Sequence, residues 1–417
     1  MQVKQVSLTN FRNYPRIRVG LALGKSILIG ENAQGKSNFL EAIELAGAGR
    51  SARTSHDQEL IRWGADHMRL EVVFERQGVD ESVAILLQQP GTRGSRSLNK
   101  QVLVNGVSQS SVRSLLGRLV TVSFKSQDLN LLRGGPKFRR EWIDSVVLRL
   151  RPAFQEILSS YQKVIGQRNR LLKHLFEKGR ITVSDQDQLL AWDRQLGRFG
   201  SQIIKERLKV LTELLPAAQT HQNHLSGQRE ALEADYLFRA PDPQESEENA
   251  GGPEPDANEG LQSHSSESMS AEKLCRAEEK EVAQLLVKLL KERRAEEIGR
   301  RQSIIGPHRD DINFRLNNVS AATYASQGQQ RSLVLSIKLA ELARITDELQ
   351  EAPILLLDDV LAELDASRQA LIMSAVHSDT QTIITTTHLA GFQPEWLAEA
   401  TIFSVQGGSL CELKQPV

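Results

Sequence analysis

The sequence predicts an α/β fold in which strand-rich segments at the two ends are parted by a long helical stretch. Three observations predict it. The first 125 residues carry the two-residue period of strands, residues from Pro136 to about Leu237 change to a helical period, and the strand pattern resumes at Ile304. IRVGLAL and KSILIG read as strands, and SNFLEAIELAGAG after them reads as a helix. Met68 to Phe74 alternates at period two and SVAILLQ follows. Asn105-Gly106, between QVLV and VSQ, is a type I′ hairpin signal.

Within the helical stretch Trp142, Val146 and Leu150 share one face, as do Ile157, Tyr161, Val164 and Arg168. A polar break near 179–186 precedes LLAWDRQLGRFGSQIIKERLKVLTELL, a further long amphipathic helix. Residues 239–270 are rich in Pro, Gly, Ser and acid and read as a disordered insert. Helix returns in AEKLCRAEEKEVAQLLVKLLKERRAEEIGRR, and the heptads are too few for a long coiled coil, so a compact helical lobe or short arm is expected. Then come the strand INFRLN, a helix from Gln329 to Glu348, the buried strand PILLLDDV, the helix ASRQALIMSAVHS, the strand QTIITTTH and two short strands. The domain reading is a head split between 1–125 and 302–417, a helical lobe from 126–238 and 271–301, and the insert at 239–270.

A chain of 417 residues, 40 % hydrophobic and 25 % charged, has an ordinary globular composition and can bury a sizeable core. No run approaches the roughly 20 apolar residues of a membrane span. MQVKQVSLTNFRNY lacks an apolar signal core, so a cytoplasmic location without a membrane is expected. Cys275 and Cys411 are too few for a disulfide framework or a zinc site. Net charge is formally zero, but residues 241–270 hold eight acidic residues and no Lys or Arg. The other 387 residues carry a formal +8, which leaves an anionic partner open.

The chemistry begins at Gly30-Glu31-Asn32-Ala33-Gln34-Gly35-Lys36-Ser37, which matches G-x-x-x-x-G-K-[ST] between a strand and a helix. Glycines let backbone N–H groups turn inward around phosphates at a helix N-terminus. Lys36 would neutralise β/γ-phosphate oxygens of ATP, the Ser37 hydroxyl would ligate Mg²⁺, and Asn38 follows on the same helix. Asp358 and Asp359 end the apolar strand PILLLDD, where open α/β sheets place ligands. Asp358 would hold the metal and Asp359 would orient or deprotonate the attacking water; alternatively the two carboxylates only cap the next helix. Ser326, Gly328 and Gln329 open the helix that precedes this strand. They read either as a plain N-cap or as a signature that caps the γ-phosphate bound by a second subunit. Ala362-Glu363-Leu364-Asp365 stands where a D-loop would cross such an interface, His388 where a switch histidine would sense γ-phosphate, and Gln127 where a Q-loop glutamine would reach Mg²⁺.

These motifs, with Leu8-Thr9-Asn10-Phe11-Arg12-Asn13-Tyr14, Gly134-Gly135-Pro136…Arg139-Arg140, Tyr161…Gln167-Arg168-Asn169 and Gly306-Pro307-His308-Arg309-Asp310-Asp311, make the chain resemble the RecF family, in the SMC-like branch of ABC ATPases. The resemblance runs almost end to end. It implies an ABC-type ATPase head (a P-loop NTPase with mixed sheets) with an inserted helical lobe, weak ATP hydrolysis, an ATP-dependent homodimer and DNA binding in its cleft. It also implies work with RecR and RecO in loading RecA at gapped or junction DNA, with roles in repair, replication and SOS induction. It makes Arg12 a contact of the nucleotide. The insert at 239–270 is longer than the family's usual connection, and Gln127 replaces what is more often an acidic residue.

DNA contacts are less marked than the ATP motifs. Candidates are Arg93, Arg96, Lys100, Lys137, Arg139, Arg140, Arg168, Arg170 and Lys173, any of which could equally solvate a surface. Backbone contacts of this kind make binding salt-dependent and largely indifferent to sequence. An ATPase subunit of a membrane transporter is the alternative; the FRNY segment, the Gln-rich signature and the interrupting lobe argue against it. An SMC-like nuclease lacks the further acidic cluster it would need.

Overall fold

The computed structural model describes residues 1–89, 98–238, 271–361, 366–375, 380–389, 392 and 394–413. The chain begins with β1 (Gln2–Phe11), β2 (Tyr14–Gly20), β3 (Lys25–Ile29), α1 (Lys36–Ala48), β4 (His67–Arg76), β5 (Val79–Gln88), β6 (Asn99–Val104), β7 (Val107–Gln109) and β8 (Thr121–Lys125). Helices α2 (Pro136–Leu150), α3 (Phe154–Lys178) and α4 (Val183–Ser226) follow, then β9 (Leu232–Leu237). After the insert come α5 (Glu279–Glu292), α6 (Arg294–Arg300), β10 (Asp311–Leu316), β11 (Val319–Ser320) and α7 (Gln327–Leu349). The last elements used below are β12 (Ile354–Asp358), α8 (Ala366–Ala375), β13 (Thr382–Thr386), β14 (Ala400–Gln406) and β15 (Ser409–Leu413).

Three sheets result. The first is antiparallel, ordered β2-β1-β4-β5-β6-β7. Its strands bury alternate residues, Met68, Leu70, Val72 and Phe74 of β4 among them, and leave the other face polar. The second is ordered β15-β14-β3-β13-β12-β8 and is parallel except for β15. Its centre is buried on both faces, as the unbroken run Ile354–Leu357 requires. α1 lies between the two sheets, packing on β4 and β5 and on β8, β12 and β13 through Phe39, Leu40 and Ile43. A buried amide joins the sheets: Gln381 accepts from Val3 N–H (2.7 Å) and donates to the carbonyls of Val3 and Ala22 (both 2.9 Å).

The third sheet, β11-β10-β9, corrects the sequence reading, which carried helix to Leu237. Leu232, Ala234 and Tyr236 alternate with Glu233 and Asp235, and this period of two pairs with β10 from Asp311↔Leu237 to Leu316↔Leu232. One strand comes from the stretch assigned to the lobe and the other from the stretch assigned to the head. α4 itself runs through Pro216 to Ser226. The proline removes one helical hydrogen bond, but the turns beyond it pack on α7. Ala218 and Gln222 are buried there, and Gln222 accepts from the Ser336 hydroxyl (2.9 Å). The segment 271–301 is three helical pieces rather than one. Residues 239–270 lie outside the described residues.

In the lobe α4 is the central rod, packed on α3, α5 and α7. Gly197 permits this closeness, because a Cβ there would stand 2.8 Å from the Ala283 carbonyl of α5. Arg168 is fully buried, donating to Asp193 (2.8 Å), Glu297 (2.5 Å) and Ser303 (2.8 Å). That burial removes it from the candidate DNA contacts. Arg139 forks onto Asp311 (2.6 and 2.8 Å), and Lys100 donates to Asp57 and the Gly49 carbonyl (both 2.8 Å). Lys137, Arg170 and Lys173 are exposed, while Arg93 and Arg96 lie outside the described residues.

The Gly306–Asp311 loop ties lobe to sheet. Arg207 of α4 donates to the Pro307 carbonyl (2.7 Å), and Tyr236 of β9 donates to Asp310 (2.7 Å). His308 donates from Nε2 to the Ser303 carbonyl (3.0 Å), and its Nδ1 meets the Tyr161 hydroxyl (2.7 Å), partners that suit a neutral ring with its hydrogen on Nε2. Burial pushes the His308 pKa from 6.5 down to about 3. The unfolded chain therefore takes up a proton that the folded chain refuses. Stability from this group is complete above its ordinary pKa and is lost as pH falls toward the depressed one. Lowering pH from 6.5 to 5 is expected to remove about 2 kcal/mol through His308. Urea unfolding at the two pH values, for wild type and His308→Asn, checks this, and the variant is expected to lose that part of the slope.

Candidate nucleotide site

The phosphate loop leaves β3 at Gly30 and enters α1 at Lys36. Glu31, Asn32 and Ala33 are exposed, Gln34 is half-buried, and Ala33 and Gly35 have left-handed backbones (φ 63° and 118°). Side chains from elsewhere grip this ring. Asn13 Nδ2 donates to the Gln34 carbonyl (2.8 Å) and the Tyr14 hydroxyl donates to the Gly35 carbonyl (2.9 Å). From the β14–β15 turn, Gly408 N–H donates to the Gln34 carbonyl (3.2 Å) and Gly407 N–H to Gln34 Oε1 (2.7 Å). Glycine is required at both ends of the ring. A Cβ at Gly30 would stand 2.4 Å from the Val405 carbonyl, and one at Gly35 would stand 2.6 Å from Asn13 Nδ2.

Lys36 is buried and folds back on its own loop, Nζ donating to the carbonyls of Gly30 (2.6 Å) and Glu31 (2.9 Å). Burial lowers its pKa, and the carboxylates of Asp359 and Asp358 oppose the shift. The Ser37 hydroxyl donates to Asp358 Oδ1 (2.7 Å), which also accepts from the Thr385 hydroxyl (2.8 Å). That same Thr385 oxygen accepts from Asp359 N–H (2.9 Å), holding Asp359 in a left-handed conformation at φ 57°. The parallel register explains the meeting: Asp358 pairs with Thr385 and with Lys125, and Ile29 pairs with Thr386 and Ser404. The strand ends of residues 29, 125, 358 and 386 thus share one edge. Ser37 and Asp358 offer a hydroxyl and a carboxylate in contact, a donor set that suits a hard, partly hydrated cation such as Mg²⁺. Among the described residues no cluster of three or more His, Cys, Asp or Glu offers another metal site.

Other candidates are placed differently. Arg12 forks onto Glu41 of α1 (3.0 and 2.7 Å) and donates to the Glu59 carbonyl (3.0 Å), so here it anchors α1. Asn38 donates to Asn13 Oδ1 (2.9 Å) and accepts from Arg53 (2.7 Å), tying α1 to the β1–β2 turn. Gln127 is exposed in a single turn after β8, on the edge that carries Asp358. The His388 ring is exposed and meets the neighbouring Thr387 hydroxyl (2.9 Å). Ser326 and Gly328 are exposed at the start of α7, where the Ser326 hydroxyl accepts from Gln329 N–H (3.3 Å) and Gln329 Oε1 accepts from Ser326 N–H (2.8 Å). This is a capping box, the plainer of the two readings of the motif, and it leaves the helix N-terminus open to solvent. Residues 362–365 lie outside the described residues. Thr385, Asn13, Tyr14 and Glu41 are site residues to which the motifs assign no role; their signal lay in TTTH, FRNY and the EAI of α1.

A phosphate loop at the end of a parallel strand, an Asp pair two strands away and a helical lobe between them define an ABC-type ATPase head of the SMC-like kind. The family model described as RecF/RecN/SMC N terminal domain matches residues 2–404. The DNA replication and repair protein RecF of Thermosynechococcus vestitus is 38 % identical over 413 residues, covering 99 % of this chain and 98 % of the relative. That of Nostoc punctiforme is 37 % identical over 410 residues, covering 98 % and 99 %. A solved structure of the recombination mediator protein RecF with ATP superposes with TM-score 0.81 at 28 % identity, over 99 % of this chain and 98 % of that one. The Smc head domain of Pyrococcus furiosus shares the fold at TM-score 0.51 and 13 % identity, over 99 % and 96 %. The chain belongs to the RecF family.

Tyr14→Phe removes one donor to the buried Gly35 carbonyl and keeps the ring. The carbonyl keeps its bond from Phe39 N–H (3.0 Å), so the change is expected to cost about 0.5–1.5 kcal/mol of stability and to weaken binding of a fluorescent ATP analogue, read by thermal unfolding and by titration.

Proposed function

We propose that this chain is an ATP-switched, DNA-binding recombination mediator whose two copies close around ATP and DNA. The observation that carries this reading is the convergence of Lys36, Ser37, Asp358 and Asp359 on one sheet edge, drawn from segments more than 300 residues apart. In it Gly30 to Gly35 cradle the phosphates, and Lys36 exchanges its loop carbonyls for phosphate oxygens. Ser37 and Asp358 hold Mg²⁺, and Asp359 orients the attacking water. Asn38 buttresses the loop through Asn13. Ser326, Gly328 and Gln329 bear on the partner's γ-phosphate, which makes ATP part of a dimer interface, while His388 senses its presence and Gln127 reaches Mg²⁺. Arg12 reaches the nucleotide only by leaving Glu41.

Hydrolysis is weak in this scheme and ATP acts as a switch, its γ-phosphate favouring the closed state through contacts with both subunits. The named relatives, DNA replication and repair proteins and an ATP-bound mediator of the RecFOR pathway, support the same reading. DNA is then held at gaps or junctions, and the closed dimer works with RecR and RecO to load RecA, serving repair, replication and SOS induction. The head is 1–125 with 302–417 and the lobe 126–238 with 271–301, with β9 and β10 shared at their junction. No helix among the described residues is long and apolar enough to cross a membrane; it is the kinship with DNA replication and repair proteins over the whole chain that disfavours the transporter-subunit reading.

Sedimentation with and without ATP, run beside DNA binding, tests the proposal. Lys36→Arg is expected to lose ATP-dependent dimerisation. Asp359→Asn is expected to hydrolyse poorly and to remain dimeric. Ser326→Arg is expected to bind ATP as a monomer. A wild-type monomer that binds DNA equally with and without ATP defeats the clamp.

A further inference from the structure

Trp63 is 98 % exposed, the most exposed large apolar side chain among the described residues. It sits at the corner of a four-residue turn closed by Ala65 N–H donating to the Arg62 carbonyl (2.9 Å), with Gly64 left-handed at φ 82°. The turn is strapped to the end of β1. Arg62 N–H donates to the Asn10 carbonyl (2.8 Å), Arg12 N–H donates to the Leu60 carbonyl (2.8 Å), and Ile61 bridges Phe11. The indole is therefore presented by ordered backbone rather than left on a loose loop.

Its surroundings are polar and of mixed charge, with Glu59 and Asp66 exposed in the same stretch and Arg62, Arg16 and Arg18 supplying positive charge. Arg16 and Arg18 of β2 are exposed and stand opposite Thr9 and Ser7 of β1, beside the strand end that holds the turn. Arg16, Arg18 and Arg62 make no ion pair among the described residues, whereas Asp66 of the same stretch pairs with His67 (2.7 Å). A protein-binding hot spot wants an apolar core around its aromatic anchor. Here the anchor is one residue wide and its flanks offer positive charge, the complement of a phosphate chain.

We propose that Trp63 stacks on a base of single-stranded DNA, with Arg62, Arg16 and Arg18 taking the adjoining phosphates. Inside a duplex both faces of each base are covered by its neighbours, so a protruding indole finds a free base face only on a single strand or in a gap. The proposal rests on the DNA-binding reading above and sharpens it to a preference for unpaired DNA.

The test uses the full chain with ATP and Mg²⁺, labelled oligothymidine and a blunt duplex, read by fluorescence anisotropy, for wild type, Trp63→Ala and Trp63→Phe. Trp63→Ala is expected to weaken oligothymidine binding about 5- to 150-fold. Trp63→Phe is expected to keep most of it, and neither variant to change duplex binding, ATP binding or ATP-dependent dimerisation. Trp63→Ala that binds oligothymidine as wild type does overturns the stacking inference alone. An equal loss on duplex, or a loss of ATP binding or dimerisation instead, overturns it too, by assigning the indole elsewhere. Wild type that binds neither DNA overturns this inference and the DNA-binding reading together.

Discussion

The phosphate loop is a ring of backbone with no stability of its own, and both ends of the chain hold it. Asn13 and Tyr14 grip it from one side and Gly407 and Gly408 from the other. The bonds to Gln34 satisfy oxygens of the turn, and Tyr14 adds a second donor to the Gly35 carbonyl, which already accepts from Phe39 N–H (3.0 Å). The grip also keeps the N–H groups of the loop pointing inward, where an anion can use them. FRNY is thus a structural unit. Phe11 fills the core, Arg12 fixes α1 through Glu41, and the last two residues hold the ring.

The nucleotide motifs were legible because their geometry is local: a strand, a glycine turn and a helix, or an apolar run ending in two acids. Most elements were legible too, since their periods are regular. What escaped depends on partners far along the chain. Arg168 read as a free cation until Asp193 and Glu297 closed on it from 25 and 129 residues away. β9 was hidden because its alternation is short and its partner strand lies beyond the insert, although Gly227, left-handed at φ 61°, ends α4 just ahead of it. The packing of Ala218 and Gln222 that offsets the local cost of Pro216 is likewise invisible in the sequence.

The lobe is built differently from the head. The head relies on buried apolar strands; the lobe and its junction add, to buried Leu196, Ile203, Ile204, Leu286 and Leu290, charge and hydrogen bonds taken out of water. Arg207 with Asp144, Arg168 with Asp193 and Glu297, and Tyr236 with Asp310 all lie at or near helix crossings. Such pairs add little net stability over apolar packing, but a mismatched register would strand a buried charge at a cost of several kcal/mol. The crossing angles of α2, α3 and α4 are thereby restricted to arrangements that satisfy every partner.

The parallel ladder β14-β3-β13-β12-β8 has a consequence in time. Its strands come from residues 25–29, 121–125, 354–358, 382–386 and 400–406. During synthesis the antiparallel sheet can pair hairpin by hairpin as it leaves the ribosome. β3 must wait for neighbours made more than 350 residues later. A nascent or prematurely terminated chain therefore carries a phosphate loop without its Asp pair and without the grip of Gly407 and Gly408. Competence to bind nucleotide thus arrives only once Gly407 and Gly408 have been made.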